Sequence, residues 1–321
     1  MSGNITSFRF TICADIVCGL KVATICSIST LTTAGNLIAL ITIGSTPSLR
    51  NCHGLLLMSL SLADLATGLV ACTSIYPSVY NLWPFGDTMC LVAAGIEAVA
   101  KKASLLTLTL LSIERYIAVT RPLGYSRLGI VTKRKALAGL TLCWVMPTLF
   151  YTTLFLTGQI VNKYVFVLHS CTITATKHSQ LLSAVLIFGL FILPSLASFS
   201  ITSALAWVGM KKATRVRADM MISGLTMQAR QTRKAVKFFR TCRIMAFTLY
   251  ACWAPVTIVG VACVLADVRQ PLGVFFALYW LQFSNSFWNV VIYFAMNDAF
   301  RHRARELFIS PFVTVWAGLV D

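Results

Sequence analysis

Charged side chains stand at three places inside long apolar stretches of this chain. Asp64 is a lone carboxylate, and Glu114 directly precedes Arg115. Glu97 precedes Lys101 by one helical turn, a spacing that lets the two side chains meet. Charges in apolar surroundings are costly unless they bind an ion, a ligand or each other. These residues are therefore candidates for binding an ion, a charged ligand or each other.

The stretches that carry these charges are long enough to cross a lipid bilayer. The chain has 321 residues, of which 57% are hydrophobic and only 12% are charged. About 20 apolar residues cover a hydrocarbon core of about 30 Å. We therefore predict an all-α fold, a seven-transmembrane helix bundle. The predicted spans are 22–44, 55–78, 90–117, 136–158, 180–208, 242–266 and 272–296.

The net charge of +17 is distributed along the chain in a way that indicates topology. Most of the 27 lysines and arginines fall on one side of a seven-span path, chiefly in 121–135, 211–243 and 301–305. The positive-inside rule then places the N-terminus outside the cell and the C-terminus in the cytoplasm. We expect this charge to attract anionic membrane lipid, and we expect no nucleic-acid binding.

This topology divides the chain into three parts. We expect an extracellular N-terminus over 1–21, a transmembrane domain over 22–298 with a cytoplasmic loop at about 209–241, and a cytoplasmic segment over 299–321. Residues 1–21 lack the basic start and apolar core of a cleavable signal peptide, so we expect the first helix to act as a signal anchor. Asn4 begins a glycosylation sequon on the outer side.

Two of the eleven cysteines stand apart from those in the spans. Cys90 opens the third span on the outer side and Cys171 lies in the second outer loop, so both face an oxidising compartment. A disulfide between them would tie that loop over the bundle. Cys13 and Cys18 are also near the outer side, and they either pair with each other or remain unpaired.

Short motifs recur through the predicted spans in a fixed order. They are Gly35-Asn36, Leu62-Ala63-Asp64-Leu65, Cys90, Glu114-Arg115-Tyr116, Arg121-Pro122-Leu123-Gly124-Tyr125, Trp144, Pro194, Cys252-Trp253-Ala254-Pro255, Asn285-Ser286, Asn289-Val290-Val291-Ile292-Tyr293 and Phe300-Arg301. Together they make the chain similar to a rhodopsin-like (class A) G-protein-coupled receptor over nearly its full length. The resemblance implies a receptor domain over 22–298, and a short amphipathic eighth helix with a short tail over 299–321.

The resemblance also implies a site for a heterotrimeric G protein. Its residues would be Glu114, Arg115, Tyr116, Leu123 and Tyr293, with Arg115 pairing with Glu114 and facing the G protein on activation. A structural ion pair at a helix end is the alternative. The chain departs from the family pattern at four positions, Ala235, Val290, Thr202 and Leu249. We expect Ala235 to weaken the inactive state, and we expect the other three to alter the contacts that form in the active state.

A sodium ion near Asp64 is a further implication of the resemblance. The matching ligand positions are Asp64, Ser104, Asn285 and Asn289, and oxygen ligands suit a hard cation. The alternative is a protonated Asp64 that is hydrogen-bonded to Asn36 and Asn289. Apart from sodium as an allosteric ligand, we expect no cofactor.

The position of Glu97 matches the aspartate that amine receptors of this family use for a ligand's ammonium group. Three interpretations stay open: Glu97 binds an amine ligand, Glu97 and Lys101 neutralise each other, or Lys101 and Lys102 bind an anionic ligand. The predicted ligand-binding residues are Glu97, Lys101, Trp253, Thr257 and Tyr279.

Several segments are similar to melatonin-type receptors, which makes an amine or indole-like extracellular small molecule a candidate ligand. The segments are Leu49-Arg50-Asn51, Ser170-Cys171-Thr172, Cys252-Trp253-Ala254-Pro255 and Asn289-Val290-Val291-Ile292-Tyr293. However, Leu154, Ile173 and Ala175 replace residues that those receptors use for their ligand. Phe283 stands where an opsin would carry its retinal-binding lysine. The kinship therefore does not identify the ligand.

Enzymes and membrane transporters would show sequence features that this chain lacks. The four histidines lie in loops or at predicted helix ends, and the spans show no nucleophile with a base and no metal cluster, so an enzyme is not expected. A membrane transporter would show paired, inverted halves with broken helices, and the sequence lacks that symmetry. A receptor that signals without a ligand is the nearer alternative.

Overall fold

The computed structural model describes residues 15–120, 131–176, 200–201, 203–204, 207–211, 214–215, 226–266 and 271–308. The α-helices whose bounds lie within these ranges are, in chain order, α1 (Ile16–Ser45), α2 (Cys52–Thr73), α3 (Ile75–Tyr80), α4 (Gly86–Thr120), α5 (Lys133–Leu156), α6 (Thr226–Ala266), α7 (Leu272–Met296) and α8 (Asp298–Phe308). The described residues within 200–215 are helical as well. Two strands, β1 (Ile160–Val165) and β2 (Ser170–Ala175), follow α5. Short 3-10 helices lie at Pro47–Leu49 and Phe166–Leu168.

Several of these helices begin at a polar side chain that accepts a hydrogen bond from a first-turn backbone amide. Asp15 accepts from the amide of Cys18 at 2.7 Å, and Asn51 accepts from that of Gly54 at 2.9 Å. Thr132 plays the same role for α5. Such caps satisfy N–H groups that have no partner inside the helix. The residue types before each apolar run therefore fix where these helices start.

The second predicted span, 55–78, is interrupted in the structure. α2 ends at Thr73 and α3 begins at Ile75. Pro77 has no N–H to donate to the carbonyl of Thr73, so one helical hydrogen bond is lost at this break. The two helices together still form one apolar segment, Cys52–Tyr80, that is long enough to cross a membrane.

In the described part of the chain, four helical segments are long and apolar enough to span a bilayer. They are Ile16–Ser45, Cys52–Tyr80, Lys133–Leu156 and Arg243–Gly260. α4 and α7, with 35 and 25 residues, are also long enough to span a bilayer, but they carry polar side chains such as Lys101 and Asn289. Most of the fifth predicted span, 180–208, lies outside the described residues. α6 already begins at Thr226, inside the predicted loop 209–241, so this helix extends well beyond its apolar part.

The helices contact each other through small residues and a shared apolar core. At Gly68 of α2, a Cβ atom would lie 2.8 Å from the hydroxyl of Thr33 on α1, so only glycine allows this approach. Since lipid is as apolar as leucine, close packing of this kind is what holds transmembrane helices together. Leu56, Leu111 and Met245 bring α2, α4 and α6 into one buried cluster.

A β-hairpin, which the sequence analysis did not predict, lies over the end of the bundle where α4 begins. β1 and β2 are antiparallel, and Tyr164 pairs with Cys171. Cys171 forms a disulfide with Cys90, as predicted. Trp280 of α7 donates a hydrogen bond from its indole to the carbonyl of Leu168, at 3.2 Å. The hairpin is thus joined to α4 covalently and to α7 by a hydrogen bond.

The predicted amphipathic eighth helix is present as α8. Phe300 and Ala304 face the bundle and are buried, whereas the arginines of α8 are at least partly exposed. The ring of Phe300 lies 4.7 Å from that of Tyr293, edge to face. Asn297 at the junction donates to the hydroxyl of Tyr293 at 2.7 Å and accepts from the amide of Phe300. These contacts fix α8 against the end of α7.

Candidate functional site

One helix, α4, connects the charged clusters that the sequence analysis singled out. It carries the disulfide at Cys90, the Glu97–Lys101 pair, the hydroxyl of Ser104 and the Glu114–Arg115 pair. From Cys90 to Arg115 the helix rises about 37 Å at 1.5 Å per residue, enough to cross a bilayer. Each cluster is completed by side chains from other elements: Cys171 of β2, residues of α7, and Asp64 and His53 of α2.

Glu114 and Arg115 form a buried ion pair at the C-terminal end of α4. Two nitrogens of the Arg115 guanidinium donate to the two carboxylate oxygens of Glu114. His53 of α2 supplies a third donor, since its Nδ1 lies 3.2 Å from Oε2 of Glu114. A carboxylate can only accept, so Nδ1 of His53 carries the proton in this hydrogen bond. The pair is therefore anchored to a second helix.

Sequence reasoning assigned His53 no role beyond its place at a predicted helix end. A signal was nevertheless present in the spacing. His53 and Asp64 are separated by about three helical turns on α2, so they lie on the same face. The sequence analysis placed Asp64 next to Ser104 of α4. His53 could therefore have been expected to contact α4 as well, about three turns closer to the C-terminal end of α4.

The other residues predicted for G-protein coupling lie close to this end of the bundle or outside the described residues. Tyr116 follows Arg115 on α4 and is partly buried. Tyr293 is buried near the C-terminal end of α7, where it contacts Asn297. Leu123 lies outside the described residues, as does Asn4, the residue predicted to be glycosylated.

Asp64 of α2 is fully buried between α4 and α7. Ser104 donates a hydrogen bond from Oγ to Oδ1 of Asp64 at 3.0 Å, and Asn289 donates from Nδ2 to Oδ2 at 2.8 Å. Asn36 was considered as a second amide donor to this carboxylate. It instead donates to the backbone carbonyl of Ser286, at 3.1 Å. The Asn289 contact was therefore correctly predicted, and the Asn36 contact was wrong because that amide bonds to the backbone.

The Asp64 cluster also offers oxygen atoms without hydrogen-bond donors. Among the described residues, the amide oxygens of Asn285 and Asn289 are buried and have no hydrogen-bond partner. A cavity of about 10 Å³, room for about one water molecule, is lined by Asn289 and Asn36 but not by Asp64, Ser104 or Asn285. Buried oxygens without donors are stabilised by a cation or by water. The residues of this cluster therefore fit a sodium ion chemically.

Glu97 and Lys101 contact each other in the N-terminal half of α4, and both are buried. Nζ of Lys101 donates to Oε1 of Glu97 at 2.7 Å and to Oε1 of Gln282, on α7, at 3.3 Å. The hydroxyl of Tyr279, also on α7, donates to Oε2 of Glu97 at 3.0 Å. Sequence reasoning predicted Tyr279 for this site but missed Gln282 and Phe283. Nζ of Lys101 lies 3.6 Å from the centroid of the Phe283 ring.

The two predicted ligand-binding residues of α6 are placed differently. Trp253 faces Lys102 of α4, whose Nζ lies 5.2 Å from the indole centroid. Thr257 is partly buried one helical turn further along. Within the described ranges, no hydrogen bond joins Thr257 to Glu97 or Lys101. The structure therefore brings Glu97, Lys101 and Tyr279 into direct contact and leaves Trp253 next to the second lysine.

The hairpin contributes the roof of the charged cluster. Ser170 and Thr172, on either side of the disulfide-bonded Cys171, lie close to the hydroxyl of Tyr279. His169, which precedes them, has a left-handed backbone and donates from Nδ1 to the carbonyl of Pro77 at 3.1 Å.

Burial sets the protonation of two side chains of this roof. Burial and the nearby ammonium of Lys21 hold the pKa of His169 below its ordinary value. Burial raises the pKa of Tyr164 to about 12. Both side chains are therefore neutral at pH 7, which suits their packed positions.

Comparison with known proteins establishes the family. Residues 35–293 match the family "7 transmembrane receptor (rhodopsin family)", and the chain belongs to it. The chain is 27% identical to melatonin receptor type 1A of Phodopus sungorus over 285 residues, covering 87% of this chain and 77% of that receptor. It is also 27% identical to trace amine-associated receptor 8b of Rattus norvegicus over 297 residues, covering 87% and 83%.

The fold agrees with a solved structure of the same family. The crystal structure of squid rhodopsin superimposes with a TM-score of 0.76, at 18% identity, covering 98% of this chain and 91% of that one. The seven-transmembrane fold predicted from the sequence is thereby confirmed. The chain is a G-protein-coupled signalling receptor and a multi-pass protein of the plasma membrane, and its relatives are receptors, not enzymes. The family implies a G protein and a small-molecule ligand.

Proposed function

We propose that this receptor converts binding of an extracellular small molecule near the hairpin into activation of a heterotrimeric G protein at the opposite end of α4. One observation carries the proposal: α4 holds both buried ion pairs, Glu97–Lys101 and Glu114–Arg115. Between Glu97 and Glu114 the helix rises about 26 Å at 1.5 Å per residue. A displacement of α4 at the first pair therefore reaches the second pair through a single rigid element.

The orientation that we propose puts the N-terminus and the hairpin outside the cell. Two features support it. The disulfide Cys90–Cys171 lies at the hairpin end, and structural disulfides persist in oxidising compartments. The described parts of the basic segments, 131–135, 226–243 and 301–305, fall at the other end, in agreement with the positive-inside rule.

The contacts of Glu97 favour a ligand that has no positively charged group to pair with this carboxylate. The names of the two relatives point to melatonin, a neutral indole, and to trace amines. Both oxygens of Glu97 already accept hydrogen bonds, from Lys101 and from Tyr279. An amine would have to displace Lys101, whereas a neutral, indole-like molecule could pack against Tyr279 and Trp253 without breaking the ion pair.

We also propose that Asp64, Ser104, Asn285 and Asn289 hold an allosteric sodium ion. The support is the set of buried oxygens described above, in which two amide oxygens have no donor among the described residues. When bound, the ion would supply the positive charge that the Asp64 carboxylate otherwise lacks.

A ligand-independent output is the second candidate, and one observation favours it. Arg115 has an acidic partner on its own helix, Glu114, but α6 contains no aspartate or glutamate along its whole length, Thr226–Ala266. Arg115 therefore has no acidic side chain of α6 with which to form an ion pair. We therefore propose that basal signalling is high.

The deciding experiment is a G-protein nucleotide-turnover assay on membranes that contain the receptor. A panel of indoles, amines, peptides and carboxylates is added, and substrate uptake and ion conductance are measured in parallel. We expect turnover that responds to at least one neutral, indole-like compound, together with a basal rate that Arg115→Ala abolishes. Uptake or conductance without turnover would contradict the receptor function and favour a transporter or channel.

A further inference from the structure

The ammonium group of Lys101 lies in surroundings suited to a bound primary amine. Nζ donates to the carboxylate of Glu97 at 2.7 Å and to the amide oxygen of Gln282 at 3.3 Å. The same nitrogen lies 3.6 Å from the ring centroid of Phe283 and 5.0 Å from that of Tyr279. A carboxylate, an amide oxygen and two aromatic faces are the groups with which proteins bind an ammonium ion.

The site is closed around this nitrogen. The side chains of Glu97 and Lys101 are only 8% and 9% exposed. The remaining carboxylate oxygen of Glu97 accepts the hydrogen bond from Tyr279, at 3.0 Å. An external ammonium would have to displace a group that is already tethered there, and a tethered group loses no translational or rotational freedom on binding.

The arrangement also connects two helices. Glu97 and Lys101 both belong to α4, one helical turn apart, whereas Gln282, Tyr279 and Phe283 all belong to α7. The lysine therefore does more than neutralise its neighbour on the same helix, because its nitrogen also donates a hydrogen bond to Gln282 of α7.

We propose that Lys101 is a built-in ligand of this receptor. The ammonium site formed by Glu97, Gln282, Tyr279 and Phe283 is filled by the chain itself, and it takes an external primary alkylammonium only when the Lys101 side chain is absent. This inference goes beyond the proposed function, because it concerns the occupancy of a site and not the coupling to a G protein.

The test removes the built-in ligand and returns it as a separate molecule. Lys101→Ala deletes Cγ, Cδ, Cε and Nζ, which are the heavy atoms of n-propylammonium. The variant strands the buried carboxylate of Glu97, so we expect surface display of the full-length receptor to fall several-fold. Millimolar n-propylammonium chloride should restore display and raise the melting temperature of the purified variant with increasing concentration. Sodium chloride at the same concentration should do neither.

Three variants serve as controls. Lys101→Met keeps most of the side-chain volume and leaves no room for n-propylammonium, so it should not be rescued. Lys102→Ala removes the adjacent lysine, which is equally buried, and it should not respond to n-propylammonium either. Glu97→Gln combined with Lys101→Ala removes the stranded charge together with the lysine. That double variant should be displayed at near the wild-type level and should ignore the amine.

Specific results would overturn the proposal. Equal rescue of Lys102→Ala or of the double variant would show that the amine acts elsewhere. If Lys101→Ala were displayed normally and did not respond to n-propylammonium, the receptor would be stable with the ammonium site empty. Stabilisation of the wild-type receptor by n-propylammonium through Glu97 would show that the site is open. Because the readouts are display and melting temperature, a receptor that shows the rescue but activates no G protein contradicts only the proposed function.

Discussion

Nδ1 of His53 lies 3.2 Å from Oε2 of Glu114, so the acidic member of the Glu114–Arg115 pair is shared between α2 and α4. Both side chains are buried. If Arg115 moves away from Glu114, the carboxylate of Glu114 still accepts a hydrogen bond from His53 of α2. The imidazole therefore lowers the cost of breaking the ion pair, while it holds the ends of the two helices together.

Replacement of His53 by alanine should destabilise the receptor. It removes a hydrogen bond to a buried carboxylate, and hydrogen bonds to charged groups contribute about 1.5–3 kcal/mol. We expect a lower melting temperature for His53→Ala in detergent. The matched control is His302→Ala on α8, where the imidazole lies 3.2 Å from Glu306 but both side chains are exposed. An equal loss in both variants would contradict a special role for the buried pair.

Arg115 should dominate coupling, and the C-terminal tail should contribute little. Arg115→Ala should nearly silence G-protein activation, because it removes the cation proposed to face the G protein. Truncation after Ser310 should leave activation nearly intact, since residues 311–321 contain one hydroxyl side chain, Thr314, and no cysteine for lipid attachment.

Surface display has to be measured for these variants, since loss of Arg115 strands Glu114. Combining Arg115→Ala with Glu114→Gln should recover display but not activation. A receptor silenced by the truncation and unaffected by Arg115→Ala would refute the assignment.

Sodium should lower basal activity through Asp64. If the ion binds the inactive state more tightly, linkage requires that it shifts the population toward that state. Turnover should therefore fall as sodium chloride replaces N-methylglucamine chloride at constant ionic strength, and Asp64→Asn should abolish that response. Thr67→Ala, one turn away on α2, is the control, because the hydroxyl of Thr67 bonds only to the Ala63 carbonyl among the contacts described. A sodium response that survives Asp64→Asn excludes the site.

Acidification should destabilise the hairpin through His169. The pKa of this residue is lowered by burial and by Lys21, so the folded receptor favours the neutral imidazole more than the unfolded chain does. The stabilisation is present above the ordinary pKa of about 6.5, and it is lost as the pH falls below that value. We expect the melting temperature to drop between pH 7.5 and pH 5.

His169→Asn should flatten this pH dependence. Asparagine does not titrate, and it tolerates the left-handed backbone found at this position. His302→Asn, at an exposed position on α8, should keep the dependence of the wild-type receptor. The assignment to His169 fails if the two variants behave alike.

The sequence predicted the helices better than it predicted their interruptions and connections. Long apolar runs report length, and length alone indicates a membrane span. The break at Ser74 follows from Pro77, which could have been noticed but lies inside an otherwise continuous apolar run. The hairpin was missed because its strands are only six residues each. Their β-branched residues, such as Ile160 and Thr174, were the available signal.

What the sequence determined by itself was the set of neighbours along each helix and the class of protein. The i,i+4 spacing of Glu97 and Lys101 placed them within reach of each other, and the ordered motifs identified the receptor family, which the comparisons confirmed. Local spacing determines such facts because a helix has a fixed geometry.

Only the tertiary structure decided which partners each charge has on other helices. The sequence left three interpretations of Glu97 open, and the structure places Tyr279 and Gln282 of α7 around the Glu97–Lys101 pair. It likewise joined His53 to Glu114 across 61 residues of sequence. Contacts of this kind depend on how helices pack against each other, and the rotation and depth of a helix in the bundle are not set by its own periodicity.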